Sequence, residues 1–208
     1  MMDFILIRHG DTLWTQQKRY QGTTDVSLSP EGKKKMRALA KTLRSVNADW
    51  LCTSSLARGR ESGKIIAQSL GIKAIEDSRL NEVGFGQWEG KTSEELLKEN
   101  NPIYKEWMKG RLVTPKGGES FYSLQKRIRG FLKDCLKHDE NKKIVIVSHS
   151  GAIRMIVLEA LGLPIDCLFY FRIDPASVTI LRHYADSAQL VCLNNMFSTD
   201  EDTSLYGR

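Results

Sequence analysis

Two apolar segments that lie far apart in the chain finish in the same way. Residues 4–7 (FILI) run into Arg-His-Gly, which contains His9, and residues 144–147 (IVIV) run into Ser-His-Ser-Gly, which contains His149. Short apolar runs that end at turn residues are typical of buried strands. If the two strands are parallel and adjacent, their carboxyl ends meet at the edge where open α/β sheets bind ligands. We therefore expect His9 and His149 to lie close together.

Strand and helix patterns alternate along the first half of the chain. A helix is predicted over 30–45, because Ser29 suits an N-cap and Pro30 the first helical position. A strand over 50–53, a helix that ends before Gly71 and a strand over 72–75 follow. This alternation favours parallel pairing. The predicted fold class is α/β, with three layers (α/β/α) around a mostly parallel central sheet.

The second half of the sequence is predicted to form a small helical insertion and an antiparallel edge of the sheet. Two short helices, 93–99 and 104–109, form a helical cap inserted at about 91–118. A long helix over 119–136, the strand over 143–148 and a helix over 152–161 follow. Strands are predicted over 169–171, 177–181 and 190–194, the last two as a hairpin that supplies a C-terminal antiparallel edge strand. We expect one domain over 1–197 and a poorly ordered polar tail over 198–208.

Composition argues against several classes of protein. The net charge is +6, but the cations are spread along the 208 residues and lack interleaved aromatic residues, so we expect no nucleic-acid partner. No apolar run approaches the roughly 20 residues of a membrane span, and the acidic start does not suit a signal peptide. We expect a cytoplasmic monomer or homodimer. Zinc ligation and disulfides are not expected from the scattered cysteines, which are Cys52, Cys135, Cys167 and Cys192.

The groups at the two strand ends favour an anion, and phosphate in particular. Arg8 offers a planar fork of donors that matches phosphate oxygens. The helix predicted after Gly151 directs free N–H groups to the same place. The polar segment 11–28 is too long for a simple connection, and long ordered loops are usually functional. The other two histidines, His138 and His183, lack such a context.

Six short boxes resemble those of the two-histidine phosphatases, the phosphoglycerate mutase-like superfamily. The resemblance extends from Phe4 to about Asn195, and the boxes occur in the family's order. They are LIRHGDT (6–12), LSPEG (28–32), SSLARGRES (54–62), LNE with FGQWEG (80–90), GGES (117–120) and VSHSG (147–151). The resemblance implies an enzyme that transfers or hydrolyses phosphoryl groups, with a small-molecule phosphomonoester as its partner and no cofactor.

The resemblance also implies a role for each of five catalytic residues. His9 attacks phosphorus and carries the phosphoryl group. Arg8, Arg58 and His149 surround the non-bridging oxygens, and His149 is protonated when it does so. Glu82 protonates the leaving oxygen and then deprotonates the attacking water. No metal is implied, because these cations neutralise the phosphate.

Two of these assignments have competitors. Arg60 competes with Arg58, and Glu89 competes with Glu82; the boxes favour Arg58 and Glu82. A third possibility for the whole chain is a phosphate-binding module without catalysis, against which the intact set of catalytic residues argues.

Four further residues are predicted to bind substrate. They are Thr15, Gln21, Gly22 and Ser150. Thr15 departs from the family pattern, which commonly has Asn at this position. An ordinary turn is the alternative role for residues 21–22. Gly59 and Ser62 are milder departures, since Ala or Thr is more usual there.

The segment between Gly90 and Glu119 bears on the reaction type. It is short, whereas the mutases of the family carry a longer insertion that closes the site against water, so hydrolysis is favoured. The stretches FRID (171–174) and VCLN (191–194) resemble the α-ribazole phosphatases of the cobalamin pathway. The leading substrate is therefore α-ribazole 5′-phosphate. The alternatives are a broad-specificity or phosphoserine-type phosphatase and a phosphoglycerate mutase. Cap residues 104, 107 and 108 either contact the leaving group or pack the cap on the core.

Overall fold

A computed structural model of the chain describes residues 1–137 and 142–196. Its centre is a six-stranded sheet with the order β3-β2-β4-β1-β5-β6. The strands are β1 (Met2–Arg8), β2 (Trp50–Thr53), β3 (Ala74–Glu76), β4 (Lys143–Ser148), β5 (Val178–His183) and β6 (Ala188–Asn195). The first four strands pair in parallel, whereas β5 runs antiparallel to both β1 and β6. The mostly parallel sheet with an antiparallel hairpin at its C-terminal edge is thus confirmed.

Helices cover both faces of this sheet. The α-helices are α1 (Leu13–Gln16), α2 (Pro30–Thr42), α3 (Ala57–Leu70), α4 (Ser93–Lys98), α5 (Pro102–Met108), α6 (Phe121–Cys135) and α7 (Ser150–Leu161). Short 3₁₀ helices occupy Leu43–Val46, Ser78–Leu80, Gly86–Trp88 and Ile165–Tyr170. No helix in the parts of the chain just described is both long and apolar enough to cross a membrane.

The alternation of side chains along β1 builds a separate core on each face. Phe4 and Leu6 pack with α6 and α7, while Ile5 and Ile7 pack with α2 and α3. Successive residues of a strand point to opposite faces, so the continuous apolar run from Phe4 to Ile7 must be covered on both faces. This arrangement is the predicted three-layer α/β/α architecture.

The pairing of β1 with β4 sets the two histidines side by side. Arg8 lies opposite Ser148 in the parallel register, and the ladder continues with the His9 amide, which donates to the Ser148 carbonyl at 3.0 Å. After β1 and after β4, the backbone leaves the sheet at its carboxyl edge. The expected meeting of His9 and His149 therefore follows directly from the register.

Residues at helix ends allowed several helix boundaries to be predicted from the sequence. The Ser29 hydroxyl accepts from the Gly32 amide at 3.0 Å and Pro30 is the first residue of α2, as predicted. That helix ends earlier than expected, because the chain tightens into a 3₁₀ turn over Leu43–Val46. Gly71 ends α3 in a left-handed conformation with φ +69°.

The strand predicted over residues 169–171 is wrong. Residues up to Tyr170 continue the 3₁₀ helix that begins after Pro164, with the Cys167 amide donating to the Pro164 carbonyl at 3.0 Å. Leu168 is buried in the core while Tyr170 is 78% exposed, so this apolar run packs on one side only. The short helix α1 was not predicted, and β3 begins two residues later than expected. His138 and the predicted tail over 198–208 lie outside the described residues.

The cap segment, residues 91–118, carries α4 and α5. Trp88, Leu96 and Tyr104 form a small buried core beneath it, and Tyr20 and Trp107 pack against that core. The Trp107 indole donates to the Tyr20 hydroxyl at 2.9 Å. This aromatic cluster fixes the cap to the loop that follows β1, above the carboxyl edge of the sheet.

Candidate active site

A cavity of about 500 Å³ opens at the carboxyl ends of β1 and β4. All of the predicted site residues except His149 line it: Arg8, His9, Thr15, Gln21, Gly22, Arg58, Glu82 and Ser150. His149 is buried beside the cavity, and its ring centroid lies 5.0 Å from that of His9. Segments that are far apart in the sequence thus meet around one space.

The backbone orients the His9 ring. Nδ1 of His9 lies 2.7 Å from the Gly10 carbonyl oxygen, which can only accept, so Nδ1 carries the proton. Nε2 is then the nitrogen with the free lone pair. The Gly10 amide donates to the Ser62 hydroxyl at 3.2 Å, which holds this turn against α3. His9 therefore presents an unprotonated Nε2 from a fixed position.

His149 is oriented by a side chain whose role the sequence did not indicate. Nε2 of His149 lies 2.7 Å from the buried Ser54 hydroxyl, while Nδ1 is buried and has no hydrogen-bond partner. A Cβ at Gly59 would lie 2.2 Å from the Ser54 oxygen. The departure at Gly59 therefore has a physical reason, since only glycine leaves room for Ser54 to reach His149.

The two arginines are held by backbone carbonyls. Arg58 donates to the carbonyls of Gly22 and Thr24 at 2.6 and 2.9 Å, and Arg8 donates to the Ile173 carbonyl at 2.6 Å. In both residues Nε is buried without a partner. Burial lowers the pKa of Arg8 and lowers that of Arg58 to about 10. Arginine side chains in proteins remain cations at neutral pH. Their unused donors are available to an anion.

Glu82 lies at the amino end of α7. Its carboxylate accepts from the Gly151 amide at 3.1 and 3.2 Å and from the Val83 amide at 3.0 Å. A Cβ at Gly151 would approach Glu82 Oε1 to 2.5 Å. Glycine at this position therefore lets the carboxylate dock on the helix end and still face the cavity.

The structure separates Arg58 from its competitor Arg60. Arg60 is exposed, donates to the Ser55 carbonyl and lies 3.5 Å from the Asp25 carboxylate. It does not line the cavity around His9. Of the two arginines, only Arg58 lies in the site.

The competitor Glu89 has a structural function. Its carboxylate accepts from the amides of Thr23, Thr24 and Phe85 at 2.9–3.0 Å. Burial acts to raise the pKa of Glu89, but these hydrogen bonds outweigh it and lower the pKa. A Cβ on Gly22, whose φ is +53°, would lie 1.9 Å from Glu89 Oε1. Glu89 thus fixes the loop whose carbonyls hold the Arg58 side chain.

Thr15 is committed to its own helix. Its hydroxyl accepts from the Thr12 amide at 2.9 Å and lies 2.8 Å from the Thr12 carbonyl, completing a capping box at α1. The buried Thr12 hydroxyl in turn donates to Gln21 Oε1 at 3.1 Å. Thr15 lines the cavity, and its hydroxyl is engaged in these local hydrogen bonds.

One wall of the cavity is apolar and largely aromatic. Its side chains are those of Tyr20, Val83, Phe85, Trp107, Phe121, Leu168 and Phe169. Of the cap residues singled out from the sequence, only Trp107 contributes to this wall, because Tyr104 is fully buried in the cap core and Met108 is exposed. The lining of the cavity therefore combines arginine side chains with an aromatic wall.

Sequence reasoning missed Arg154, which also lines the cavity. It lies four residues after Ser150 on α7, and side chains at this spacing share one face of a helix. That spacing from a predicted site residue was the signal available in the sequence. Among the described residues, no cluster of three or more His, Cys, Asp or Glu side chains is arranged to hold a metal ion.

Burial and nearby cations keep both imidazoles neutral. Burial is the main cause of the lowered pKa of His9, and Arg58 and Arg8 lower it further. The pKa of His149 is lowered by burial and then by Arg58 and His9. A phosphate dianion beside His149 would act in the opposite direction and favour its protonated form. His9 therefore presents a neutral imidazole down to pH values below the ordinary titration range of histidine.

We expect the protein to lose stability as the pH falls below about 6.5. Unfolded histidine has a pKa near 6.5, whereas the folded chain keeps His9 and His149 uncharged to lower pH. Between these values the unfolded state binds more protons, so acidification favours unfolding. The stability that the neutral pair contributes is complete above pH 6.5 and is lost as the pH falls through the folded-state values.

Urea unfolding at about pH 7.5 and about pH 5.5 measures this dependence. The variant His9→Asn, which removes one titrating group, should show a smaller difference between the two conditions. An unchanged difference would contradict the assignment of the effect to this pair.

Comparisons with known proteins agree with the geometry. The family model "Histidine phosphatase superfamily (branch 1)" matches residues 4–196. Phosphoserine phosphatase 1 of Hydrogenobacter thermophilus is 31% identical over 183 residues, which are 88% of this chain and 87% of that protein. A probable phosphoglycerate mutase of Yersinia enterocolitica is 32% identical over 169 residues, covering 79% of this chain and 77% of that protein.

Solved structures show the same fold. The crystal structure of the α-ribazole phosphatase from Shigella flexneri is similar with a TM-score of 0.85 at 26% identity, covering 94% of this chain and 97% of that chain. The similarity in fold thus extends over nearly the whole chain. By the match of the family model and of these relatives, the chain belongs to branch 1 of the histidine phosphatase superfamily.

Proposed function

We propose that this chain is a metal-independent phosphomonoester hydrolase that works through a phosphohistidine at His9. The observation that carries the proposal is the hydrogen bond from Nδ1 of His9 to the Gly10 carbonyl at 2.7 Å. It leaves the Nε2 lone pair in a cavity that two buried guanidinium groups also line. A neutral imidazole beside fixed cations is suited to attack a phosphate dianion.

The reaction then has two displacements at phosphorus. In the first, the Nε2 lone pair of His9 forms the N–P bond, the ester P–O bond breaks, and the protonated Glu82 carboxyl gives its proton to the leaving oxygen. In the second, Glu82 takes a proton from water, the water oxygen forms a new P–O bond, and the N–P bond breaks. Inorganic phosphate leaves, and His9 returns to its neutral form with Glu82 protonated again.

The cations serve both displacements. Arg8 and Arg58 bind the non-bridging oxygens with the donors that the backbone carbonyls leave unused. His149 lies 5.0 Å from the His9 ring, and its buried Nδ1 without a partner supplies a further donor once the imidazole is protonated. These groups are fixed before substrate arrives, which favours stabilisation of the transferring group.

The size of the cap supports hydrolysis over mutase chemistry. Helices α4 and α5 have only 6 and 7 residues, and a cap this short favours access of water to the phosphohistidine. A mutase must instead keep water from the phosphohistidine until a second hydroxyl accepts the group. Product analysis with 3-phosphoglycerate distinguishes the two, since inorganic phosphate is expected and 2-phosphoglycerate is not.

Two classes of substrate fit different walls of the cavity. The aromatic wall supports α-ribazole 5′-phosphate, the leading candidate from the sequence, because a flat aromatic leaving group packs well on Trp107 and Phe169. The relative from Shigella flexneri carries the name α-ribazole phosphatase. Arg154 supports the alternative, a phosphoserine-type ester, because a guanidinium group can bind a carboxylate. The relative from Hydrogenobacter thermophilus carries the name phosphoserine phosphatase 1.

Trapping the intermediate tests the mechanism. Purified enzyme is mixed with a ³²P-labelled phosphomonoester and denatured within milliseconds. We expect acid-labile, alkali-stable label on a single peptide containing His9, with none on the His9→Ala variant. Full hydrolytic activity without such an adduct would rule out the covalent route.

A further inference from the structure

Arg154 differs from the other arginines of the site in having no partner. Its Nε is buried without a hydrogen bond, and no acceptor among the described residues pairs with its guanidinium group. Arg8 and Arg58 donate to backbone carbonyls, and Arg127 forms a bidentate pair with Glu119 at 2.8 Å. Arg154 is half-buried, and holding a half-buried cation without a partner costs free energy. A side chain that meets this cost while lining a ligand cavity indicates that the ligand supplies the anion.

The carboxylates nearest to Arg154 are already occupied. Burial lowers the pKa of Arg154, while Glu82 and Asp174 act to raise it, which identifies them as its acidic neighbours. Glu82 accepts from the Gly151 amide, and Asp174 accepts from Arg172 at 2.8 Å and from Asn194 at 2.9 Å. Neither of these carboxylates forms an ion pair with Arg154 within the described chain. A structural salt bridge therefore does not explain the residue.

The helix places Arg154 on the Glu82 side of the cavity. Gly151, whose amide holds Glu82, and Ser150 precede Arg154 by one turn on the same face of α7. Long side chains of a helix point back toward its amino end, so the guanidinium group extends toward Glu82. In the proposed hydrolysis, Glu82 faces the ester oxygen that departs. Arg154 consequently lies next to the alcohol part of the substrate.

We propose that Arg154 binds a carboxylate on the leaving alcohol, so that the enzyme prefers phosphomonoesters of hydroxy acids to those of uncharged or cationic alcohols. The proposal rests on the proposed phosphatase function. A guanidinium group matches a carboxylate in bidentate geometry, and Arg8, Arg58 and His149 already serve the transferred phosphate. This assignment favours the phosphoserine-type alternative over α-ribazole 5′-phosphate, whose alcohol carries no carboxylate.

Two esters that differ only in the carboxylate provide the test. O-Phosphoserine and O-phosphoethanolamine share the ester oxygen, the carbon chain and the amine. We expect wild-type kcat/KM to be at least about 10-fold higher for O-phosphoserine, and Arg154→Met to lower that ratio by about 10- to 100-fold. Arg154→Lys keeps the positive charge but loses the bidentate donor geometry of the guanidinium group. Its ratio of kcat/KM values for the two esters should therefore lie between those of the wild type and Arg154→Met. The control Arg129→Met, on an exposed arginine paired with Glu159, should leave the ratio unchanged.

The outcomes separate this proposal from the proposed function. Hydrolysis of p-nitrophenyl phosphate by the wild type but not by His9→Ala establishes the phosphatase independently of Arg154. With that established, a wild type that treats the two esters alike overturns the proposal. Equal losses on both esters in Arg154→Met, or a Lys variant with no recovery of the ratio, overturn it as well. Thermal melting of each variant shows that the comparison is between folded enzymes.

Discussion

We expect replacement of His9 by alanine to lower kcat for p-nitrophenyl phosphate by on the order of 10⁴-fold or more, because the proposed nucleophile is removed. The variant keeps Arg8 and Arg58, because backbone carbonyls hold these side chains and His9 does not. Affinity for inorganic phosphate, measured by calorimetry, should therefore change by less than about 10-fold. Chemistry and binding should separate cleanly in this variant.

The chain supplies a matched control for this substitution. His183 lies on β5 and does not line the active-site cavity, so His183→Ala should retain near wild-type kcat. His149→Ala should be less severe than His9→Ala, since it removes one of several groups around the phosphate and leaves the nucleophile in place. Retention of more than about 1% of wild-type kcat in His9→Ala would contradict covalent catalysis at this residue.

The fold was predictable wherever local patterns and packing agree. The strands β1 and β4 are apolar at nearly every position, and a strand of this kind fits only the centre of a sheet covered on both faces. Ser29, Pro30 and Gly71 marked helix ends by chemistry that does not depend on distant residues. The segment 169–171 was mispredicted because its apolar run suits a strand, whereas β5 already has partners on both sides.

The site was predictable to the extent that its residues end strands or fall within boxes. His9 and His149 required only the parallel pairing of their strands, which the sequence pattern favours. The hydrogen bond between Ser54 and His149 joins residues 95 positions apart, and no local pattern encodes it. The same holds for the unpaired state of Arg154, which depends on what surrounds it in three dimensions. Supporting residues of this kind become visible only in the folded chain.

Glu82→Gln should slow the hydrolysis of alkyl phosphates far more than that of aryl phosphates. The glutamine side-chain oxygen can still accept from the Gly151 amide, so the side chain should keep its position at the amino end of α7. The amide, however, has no acidic proton to donate to the leaving oxygen. An alkoxide leaves poorly without a proton, and we expect kcat/KM for O-phosphoethanolamine to fall by about 10³-fold. p-Nitrophenolate needs no such help, and kcat/KM for its ester should fall by less than about 10-fold.

In the proposed mechanism Glu82 also serves the second displacement, which provides an independent readout. With p-nitrophenyl phosphate, Glu82→Gln should form the phosphohistidine quickly and hydrolyse it slowly, because no base activates the water. Stopped-flow measurements should therefore show a burst of about one p-nitrophenolate per enzyme, followed by slow turnover. Glu89→Gln is the control, since Glu89 acts through the loop that holds Arg58 and its loss should slow aryl and alkyl esters alike without a burst. Equal slowing of both esters by Glu82→Gln, without a burst, would remove Glu82 from the role of proton donor and base.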